Sequence, residues 1–306
     1  MDILRAMSVF RRVADRGSLS AASADMGLAR GAASAIVSQL EERLGVQLLE
    51  RTTRRLRLTE DGSRYLERAV RILDDIAELE EEVGAAEREP RGHLRIQLPP
   101  GLGRLVLAPE LPRFFAAYPK IELELLSRNG VPDFVGGQVD AAIVLGELPV
   151  RDLAVRKVGL VPCLTVAAPS YLAQFGSPAT PDDLANHACL AVFSTLTAAP
   201  VRWRFRVGND EQAMDVHGPA RFESAEAAVA AATRGLGIVQ LASYLLFEPV
   251  RKGHLVPVLH ACQPSPLAMR IVHPRNRHKP KKLKVFEDFV VELDRQTRRD
   301  WGVRSV

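Results

Sequence analysis

The residues of this sequence best suited to chemistry lie together in one amphipathic segment, residues 30–44. Its apolar positions recur at three- and four-residue spacing, which predicts a helix with one buried face: Ala33, Ile36, Val37, Leu40 and Leu44. The opposite face carries side chains that form good hydrogen bonds with bases: Arg30, Ser34, Ser38 and Gln39. Arginine suits guanine and glutamine suits adenine, so this face is predicted to contact DNA bases.

A basic cluster follows the amphipathic segment. Three arginines, Arg54, Arg55 and Arg57, are interleaved with Leu56 and Leu58. Alternation in a strand places successive side chains on opposite faces, which turns the leucines inward and arginines outward. Arginines in such a position neutralise phosphate and give a salt-dependent affinity for DNA. The pattern predicts a basic hairpin beside the DNA-contacting helix.

Two further helices are needed to position that face. The spacing of apolar residues predicts a first helix over residues 3–15, and Ser20 is predicted as the N-cap of the second. Gly27 then turns the chain towards the third helix. Two short helices, a tight glycine turn and a basic hairpin are typical of a winged helix-turn-helix, which places one helix in the major groove.

A long helix is predicted from residue 59 to 87. Leu66, Ala69, Leu73 and Ile76 recur at three- and four-residue spacing, and this seam favours a partner helix from a second copy of the chain. Packing of the seam on its own domain is the alternative. Residues 88–92 contain proline and glycine and are predicted to be a hinge.

Beyond residue 92 strands alternate with helices, which predicts a mostly parallel α/β sheet. The main strands are predicted at 93–98, 121–126, 141–145 and 160–168, and the main helices at 105–117, 225–233 and 283–293. Residues 99–103 are predicted to form a loop, residues 134–138 a short helix, and residues 298–301 part of a surface tail.

Composition narrows the class of protein. The net charge of +4 and a hydrophobic content of 47% are ordinary for a soluble protein. The uncharged stretch 158–181 contains four prolines, which argues against a membrane span. The three cysteines are isolated and suggest neither a disulfide framework nor a zinc site. We expect a cytoplasmic protein without metal or cofactor.

The sequence resembles the LysR-type transcriptional regulators over nearly its whole length. The motifs GSLSAA, SQLEERLGVQLLERT and RLRLTEDG stand in the family's order, and LPRFFAAYPKIELEL, GQVDAAIVLGEL and RGLGIV follow in register. The resemblance implies an all-α winged helix-turn-helix (1–58), a linker and dimerisation helix (59–87), a hinge (88–92) and an effector domain (93–306). That last domain would resemble a periplasmic binding protein, with one lobe at about 93–161 and 268–306 and the other at about 162–267.

The resemblance also implies partners and a binding site. The partners are double-stranded promoter DNA, a small-molecule effector, other copies of the chain in a dimer and tetramer, and RNA polymerase; no membrane is involved. The effector would lie between the two lobes, at the carboxyl ends of strands. The residues implied to line this site are Pro100, Gly101, Leu102, Gly103, Gly146, Glu147, Phe193, Ser194 and Ser224.

The chain departs from the family pattern at four positions. Ala29 replaces a serine that usually begins the third helix, Gly31 replaces a frequent proline, and Ala35 stands where many members have a basic residue. Gly101 takes a position often held by serine or threonine. We therefore expect this chain to prefer operator sequences, and to bind an effector, that differ from those of family members with the usual residues.

Two other functions remain open from the residues. An α/β enzyme is suggested by Gly101 and Gly103 between a strand and a helix, but Val106 stands where a dinucleotide-binding turn needs its third glycine. An architectural or orphan DNA-binding protein without an effector is the other possibility. More than two hundred residues beyond the DNA-binding segment argue against it.

Overall fold

The computed structural model describes residues 1–51, 56–83, 89–134, 139–146, 152–193, 199–275 and 279–301. It divides into two compact units, residues 1–88 and 89–306. The first unit consists of α1 (Ile3–Arg16), α2 (Leu19–Asp25), α3 (Ala32–Leu44), β1 (Leu49–Arg51), β2 (Leu56–Leu58) and α4 (Glu60–Val83). Strands β1 and β2 pair antiparallel, as the predicted hairpin requires.

The core of the first unit is built by α1 and α3. Phe10 and Val13 from α1 are fully buried with Val37 and Leu40 from α3. Leu44 was expected in the same stripe but is 38% exposed, because it stands in the last turn of α3 beyond the packed core. The amphipathic pattern thus identified the helix correctly and overestimated its buried length.

Two predicted helix starts are wrong. The N-cap of α2 is Ser18, whose hydroxyl accepts a hydrogen bond from the Ala21 amide at 3.3 Å, and Ser20 lies inside the helix. Helix α3 begins at Ala32, after Gly31 with a left-handed φ of 84°. Arg30 therefore lies in the turn before α3 rather than on the helix.

Thr59 joins the long helix α4 to the hairpin. Its hydroxyl accepts from the Gly62 amide at 2.8 Å and donates to the Gln47 carbonyl at 2.7 Å. Its own amide donates to the Leu48 carbonyl at 3.0 Å. A Cβ atom on Gly62 would lie only 2.0 Å from that same carbonyl oxygen. The approach of α4 to the start of β1 thus requires glycine at position 62.

The apolar seam of α4 has two environments. Near α1, Ala69 is 1% exposed, the Tyr65 ring packs edge-on against Phe10, and Asp74 pairs with Arg11 at 3.4 Å. Further along α4, Leu79 is 58% exposed. Packing within the unit therefore accounts for the first half of the seam only.

The main sheet of the second unit has five strands in the order β4-β3-β5-β14-β6. Their bounds are β3 Gly92–Leu98, β4 Ile121–Ser127, β5 Ala141–Leu145, β6 Leu153–Val161 and β14 Leu267–Pro274. Strand β3 is parallel to β4 and β5, whereas β14 is antiparallel to β5 and β6. The expectation of a mostly parallel sheet therefore holds for its first three strands.

Smaller sheets occupy the middle of the chain. Strands β7 and β8 to β13 are Cys163–Ala167, Ala191–Val192, Trp203–Val207, Asp210–Met214, Arg221–Phe222, Val239–Ala242 and Val256–Val258. Strand β7 lies between β12 and β13, β8 pairs parallel with β11, and β9 pairs with β10. The helices of this unit are α5 Pro100–Leu102, α6 Leu111–Ala117, α7 Pro169–Phe175, α8 Ala225–Thr233, α9 Ser243–Arg251 and α10 Lys281–Trp301.

A single strand over residues 160–168 is contradicted by the structure. Pro162 lacks an amide proton and separates β6, which ends at Val161, from β7, which begins at Cys163 in another sheet. The Pro162 carbonyl accepts from the Ser243 amide at 2.8 Å. The chain thus leaves the five-stranded sheet at this proline and returns to it only with β14.

Other differences lie in segments with weak patterns. Strand β10 is largely exposed and α9 contains Pro249, and neither element was predicted. Residues 298–301, predicted to lie in a surface tail, continue α10. The helix predicted at 134–138 lies almost wholly outside the described residues.

The substitution Gly62→Ala tests the close approach of α4 to β1. Alanine in a helix normally stabilises by about 1 kcal/mol relative to glycine. Here we expect destabilisation by about 1–3 kcal/mol, because the added methyl meets the Leu48 backbone.

The measurement is urea denaturation of the full chain, followed by hydrogen exchange of segment 46–62. Gly27→Ala is the matched control, since its methyl enters open space and costs only the left-handed backbone strain of about 1–2 kcal/mol. Increased protection of segment 46–62 in Gly62→Ala would contradict the close contact.

Candidate functional site

Helix α3 presents a small polar face to solvent. Ser38 and Gln39 are exposed together with Ala35, and Ser34 at the edge of this face is half-buried. Arg30 is exposed in the turn that precedes the helix. Of the residues predicted for base contact, Ser34, Ser38 and Gln39 therefore lie within α3, and Arg30 lies in the turn before it.

Neighbouring residues replace the N-cap that α3 lacks. Gly31 has no side chain to offer, and the Ala33 amide instead donates to the hydroxyl of Ser23 at 3.3 Å. Ser23 is 4% exposed, so this cap comes from within the core and from α2. The departure from the family pattern at Ala29 is thus compensated by the preceding helix.

The two helices before α3 are tied by an ion pair. The Arg16 guanidinium at the end of α1 forms two hydrogen bonds with the Asp25 carboxylate at the end of α2, one of them at 2.9 Å. This hydrogen bonding lowers the pKa of Asp25. The pair joins the ends of α1 and α2 ahead of the turn into α3.

Glu41 connects α3 to the hairpin. Its Oε1 atom accepts from the amides of Leu48 and Leu49 at 2.8 and 3.0 Å. Leu49 is the first residue of β1 and Leu48 immediately precedes it, and a carboxylate acceptor strengthens such bonds. Hairpin and helix are therefore held in a fixed relation by one side chain.

The hairpin presents Arg57 to solvent. Arg57 is exposed between half-buried Leu56 and Leu58, and in the ladder it lies opposite Glu50. The predicted alternation is confirmed for these residues. Arg54 and Arg55 lie outside the described residues.

The second unit contains a cleft of about 600 Å³. Its walls come from the start of α5, the end of β4 and the turn before α8, with α9 as the floor. The lining residues are Pro99, Pro100, Gly101, Ser127, Arg128, Asn129, Glu223, Ser224, Ala225, Glu226, Tyr244 and Leu245. This volume is ordinary for a small-molecule site.

Three of the predicted effector residues, Pro100, Gly101 and Ser224, line this cleft. The expected loop at residues 99–103 is instead the beginning of a helix, because Pro100 occupies the first helical position. Leu102 and Gly103 are consequently buried beneath the cleft wall rather than lining it.

Four other predicted effector residues are not part of the described lining. Gly146 follows β5 with a φ of 77° and donates its amide to the Ala268 carbonyl at 2.9 Å. Phe193 donates its amide to Phe222 at 2.8 Å. Glu147 and Ser194 lie outside the described residues.

Several lining residues were missed. Ser127, Arg128 and Asn129 follow β4, and the rule that ligands lie at the carboxyl ends of strands would have identified them. Tyr244 and Leu245 belong to α9, a helix that the sequence pattern did not reveal. No sequence signal would have selected those two.

The floor of the cleft explains why position 101 is a glycine. A Cβ atom there would lie 2.5 Å from Leu245 Cδ2 and 3.3 Å from the Tyr244 ring. Tyr244 is 6% exposed and Leu245 is 8% exposed, and burial raises the pKa of the Tyr244 phenol. Glycine in place of serine or threonine therefore lets α9 bring an apolar surface up to the cleft.

An ion pair marks the edge of the cleft. Arg104 lies 3.4 Å from Glu226, so one wall is connected to the other. Glu226 also accepts from the Ser224 hydroxyl at 3.2 Å, and that hydroxyl accepts from the Ala227 amide at 3.3 Å. The charge of Glu226 is thus balanced by Arg104.

The structure adds one fact each on metals, membranes and thiols. Within the described ranges, no group of three histidine, cysteine or acidic side chains could hold a metal ion, and no helix is long and apolar enough to cross a membrane. Burial raises the pKa of Cys163 to about 11 and that of Cys189 to about 12. Few of these thiols are ionised at neutral pH, so they are poor nucleophiles.

Two family models match the chain. Residues 4–63 match the model described as a bacterial regulatory helix-turn-helix protein of the lysR family. Residues 87–295 match the LysR substrate binding domain. Together these matches cover the helix-turn-helix, the hairpin, the cleft and most of α10.

Known relatives agree over nearly the full length. The HTH-type transcriptional regulator YhjC of Escherichia coli is 34% identical over 290 residues, with 95% of this chain and 97% of that protein covered. The structure of CrgA, a LysR-type transcriptional regulator from Neisseria meningitidis, has a TM-score of 0.61 at 33% identity and covers 94% of this chain and 97% of its own. The Vibrio cholerae virulence activator AphB has a TM-score of 0.59 at 26% identity, with coverages of 95% and 99%.

The substitution Glu41→Ala tests the connection between α3 and the hairpin. It leaves the Leu48 and Leu49 amides without their carboxylate acceptor, and we expect a loss of about 1–3 kcal/mol of stability. Hydrogen exchange of these two amides should accelerate. Glu42→Ala, at an exposed neighbouring position, is the control and should leave both amides protected. Equal exchange rates in the two variants would show that Glu41 does not hold the hairpin.

Proposed function

The chain belongs to the LysR family of bacterial transcriptional regulators, and from this membership we propose a function for each of its two units. It is a transcriptional regulator with a helix-turn-helix DNA-binding domain and a substrate-binding effector domain. We take residues 1–58 as the DNA-binding domain, 59–87 as the linker helix, 88–92 as the hinge and 93–306 as the two-lobed effector domain.

The observation that carries the DNA-binding proposal is the exposed polar face of α3 with Arg57 beside it on the hairpin. Helix α3 enters the major groove, where Ser34, Ser38 and Gln39 contact base edges. Arg30 contacts a base or phosphate from the turn before it. Arg57, together with Arg54 and Arg55, contacts the phosphate backbone.

Two DNA-binding units act together in the proposed regulator. The exposed Leu79 and Ile72 of α4, 58% and 40% exposed, offer apolar surface to the same helix of a second copy. Such a dimer would read two half-sites of an inverted repeat, and association of the effector domains would complete a tetramer. Binding through several units compensates for a DNA-contacting face with few charges.

The cleft of the second unit is proposed as the effector site. Pro100, Gly101 and Ser224 contribute to it from opposite walls, and an effector that binds one arrangement of those walls better than another shifts the equilibrium between them. Gly146, Glu147, Phe193 and Ser194, predicted from the family resemblance, stay candidate effector contacts in this proposal. The shift alters the spacing of the DNA-binding units and, through it, contact with RNA polymerase.

The proposal places the regulator in the cytoplasm, where promoter DNA is found, and gives it no catalytic step. An orphan regulator that senses nothing would share the DNA-binding unit. The formed cleft, with charged residues on both walls, favours an effector-responsive protein.

The role of the basic hairpin, or wing, is tested by replacing Arg54, Arg55 and Arg57 together by alanine. Each lost phosphate contact should reduce the slope of log K against log salt by about 0.9, and affinity should fall on all sequences alike. The measurement is fluorescence anisotropy with DNA flanking the regulator's own gene and with random DNA. The control replaces three exposed arginines of the second unit, Arg202, Arg206 and Arg221. An unchanged slope in the wing variant would remove the hairpin from the interface.

Base readout is tested separately by Ser38→Ala and Gln39→Ala. Each should reduce the ratio of operator to random-DNA affinity, since a good base contact contributes about 1–3 kcal/mol of discrimination. Glu42→Gln, one turn further along α3, is the control. A uniform loss on both DNAs would place these side chains on phosphate instead.

A further inference from the structure

The cleft contains two opposite charges that no described neighbour balances. Arg128 follows β4 and Glu223 precedes α8, so the two side chains reach the cleft from different sheets. Both residues are exposed, and among the residues that the structure describes neither side chain has a hydrogen-bond or ion-pair partner. The third charged lining residue, Glu226, is already paired with Arg104.

The backbone at both positions is fixed. The Arg128 amide donates to the Leu98 carbonyl at 3.0 Å, which continues the β3–β4 ladder past its last pair. Glu223 lies between Phe222, whose carbonyl accepts from Phe193 at 2.8 Å, and Ser224, which caps α8. The two charges are therefore built into opposite walls of the cleft rather than carried on a free loop.

The floor adds an apolar surface. Leu245 and Tyr244 are almost fully buried, and Gly101 allows them to approach the wall. The cleft thus combines one cationic group, one anionic group and an apolar floor. A ligand with only a carboxylate would pair with Arg128 but be repelled by Glu223. A ligand with only an ammonium group would pair with Glu223 but be repelled by Arg128. An unpaired charge in a closing cleft is costly.

We propose that the effector is a zwitterion, an amino acid whose carboxylate binds Arg128, whose ammonium group binds Glu223 and whose apolar part contacts Tyr244 and Leu245. Arginine binds a carboxylate with two parallel hydrogen bonds, which fixes the ligand's orientation. This inference rests on the proposed effector role of the cleft. A ligand that joins the two charges also joins the two walls, which is the event that an effector must produce.

The first experiment compares matched ligands on the full chain. The probes are the twenty standard amino acids and the ω-amino acids of three to six carbons, each at 10 millimolar in a thermal-shift assay. A ligand that binds the folded chain and is present above its Kd raises the Tm, so an excess of each probe reveals weak binding. The tightest binder is then compared by calorimetry with its deaminated and decarboxylated analogues, such as L-leucine with 4-methylpentanoate and 3-methylbutylamine. We expect the amino acid to bind at least about tenfold more tightly than either analogue.

The second experiment assigns each charge to its residue. Glu223→Gln should weaken the amino acid about tenfold and leave the carboxylate analogue unaffected or improved. Arg128→Gln should weaken the amino acid similarly and spare the amine. Glu122→Gln and Arg221→Gln, at exposed positions outside the lining, are the controls.

The outcomes separate the inference from the proposed function. A carboxylate or amine that binds as tightly as the amino acid, or a panel with no amino acid bound, overturns the zwitterion site. Operator binding is measured by anisotropy on the same preparations. Specific operator binding without amino-acid binding contradicts the inference alone. Amino-acid binding without specific operator binding contradicts the regulator's proposed DNA interface and leaves the zwitterion site standing.

Discussion

The DNA-binding unit depends on a short stretch of backbone, residues 47–49, that three different elements hold at once. The Glu41 carboxylate of α3 accepts from two of its amides, Thr59 binds its carbonyls, and Gly62 lets α4 approach to contact distance. Each contact is ordinary in strength. Their convergence ties α3, the hairpin and α4 to the same stretch of backbone within the first unit.

In the cleft domain, by contrast, few contacts join the two walls among the described residues. Its two walls come from different sheets, and one link across the edge of the cleft is the pair of exposed Arg104 and half-buried Glu226. An exposed pair contributes about 0–1 kcal/mol, so a ligand of modest affinity can compete with it. This single surface ion pair contrasts with the several contacts that converge on residues 47–49 of the first unit.

The sequence predicted most of this architecture because its strongest patterns are local. The stripe of Val37 and Leu40, the buried strand 141–145 and the helix 225–233 all appear where periodicity places them. Prediction failed where contacts between residues distant in the sequence determine the structure. Ser23 caps a helix ten residues away, and Pro162 separates two sheets inside one apolar run. The cleft was found in part, because strand ends are visible in a sequence whereas the floor supplied by α9 is not.

The position of β14 has a consequence for how the protein is made. This strand lies between β5 and β6 in the five-stranded sheet, although more than a hundred residues separate it from β5 in the chain. The DNA-binding unit is complete once its 88 residues have left the ribosome, whereas the sheet stays divided until residue 274 has emerged. During that interval β5 and β6 lack the strand that pairs with both of them, and their unpaired edges stay open to other strands until residues 267–274 are made.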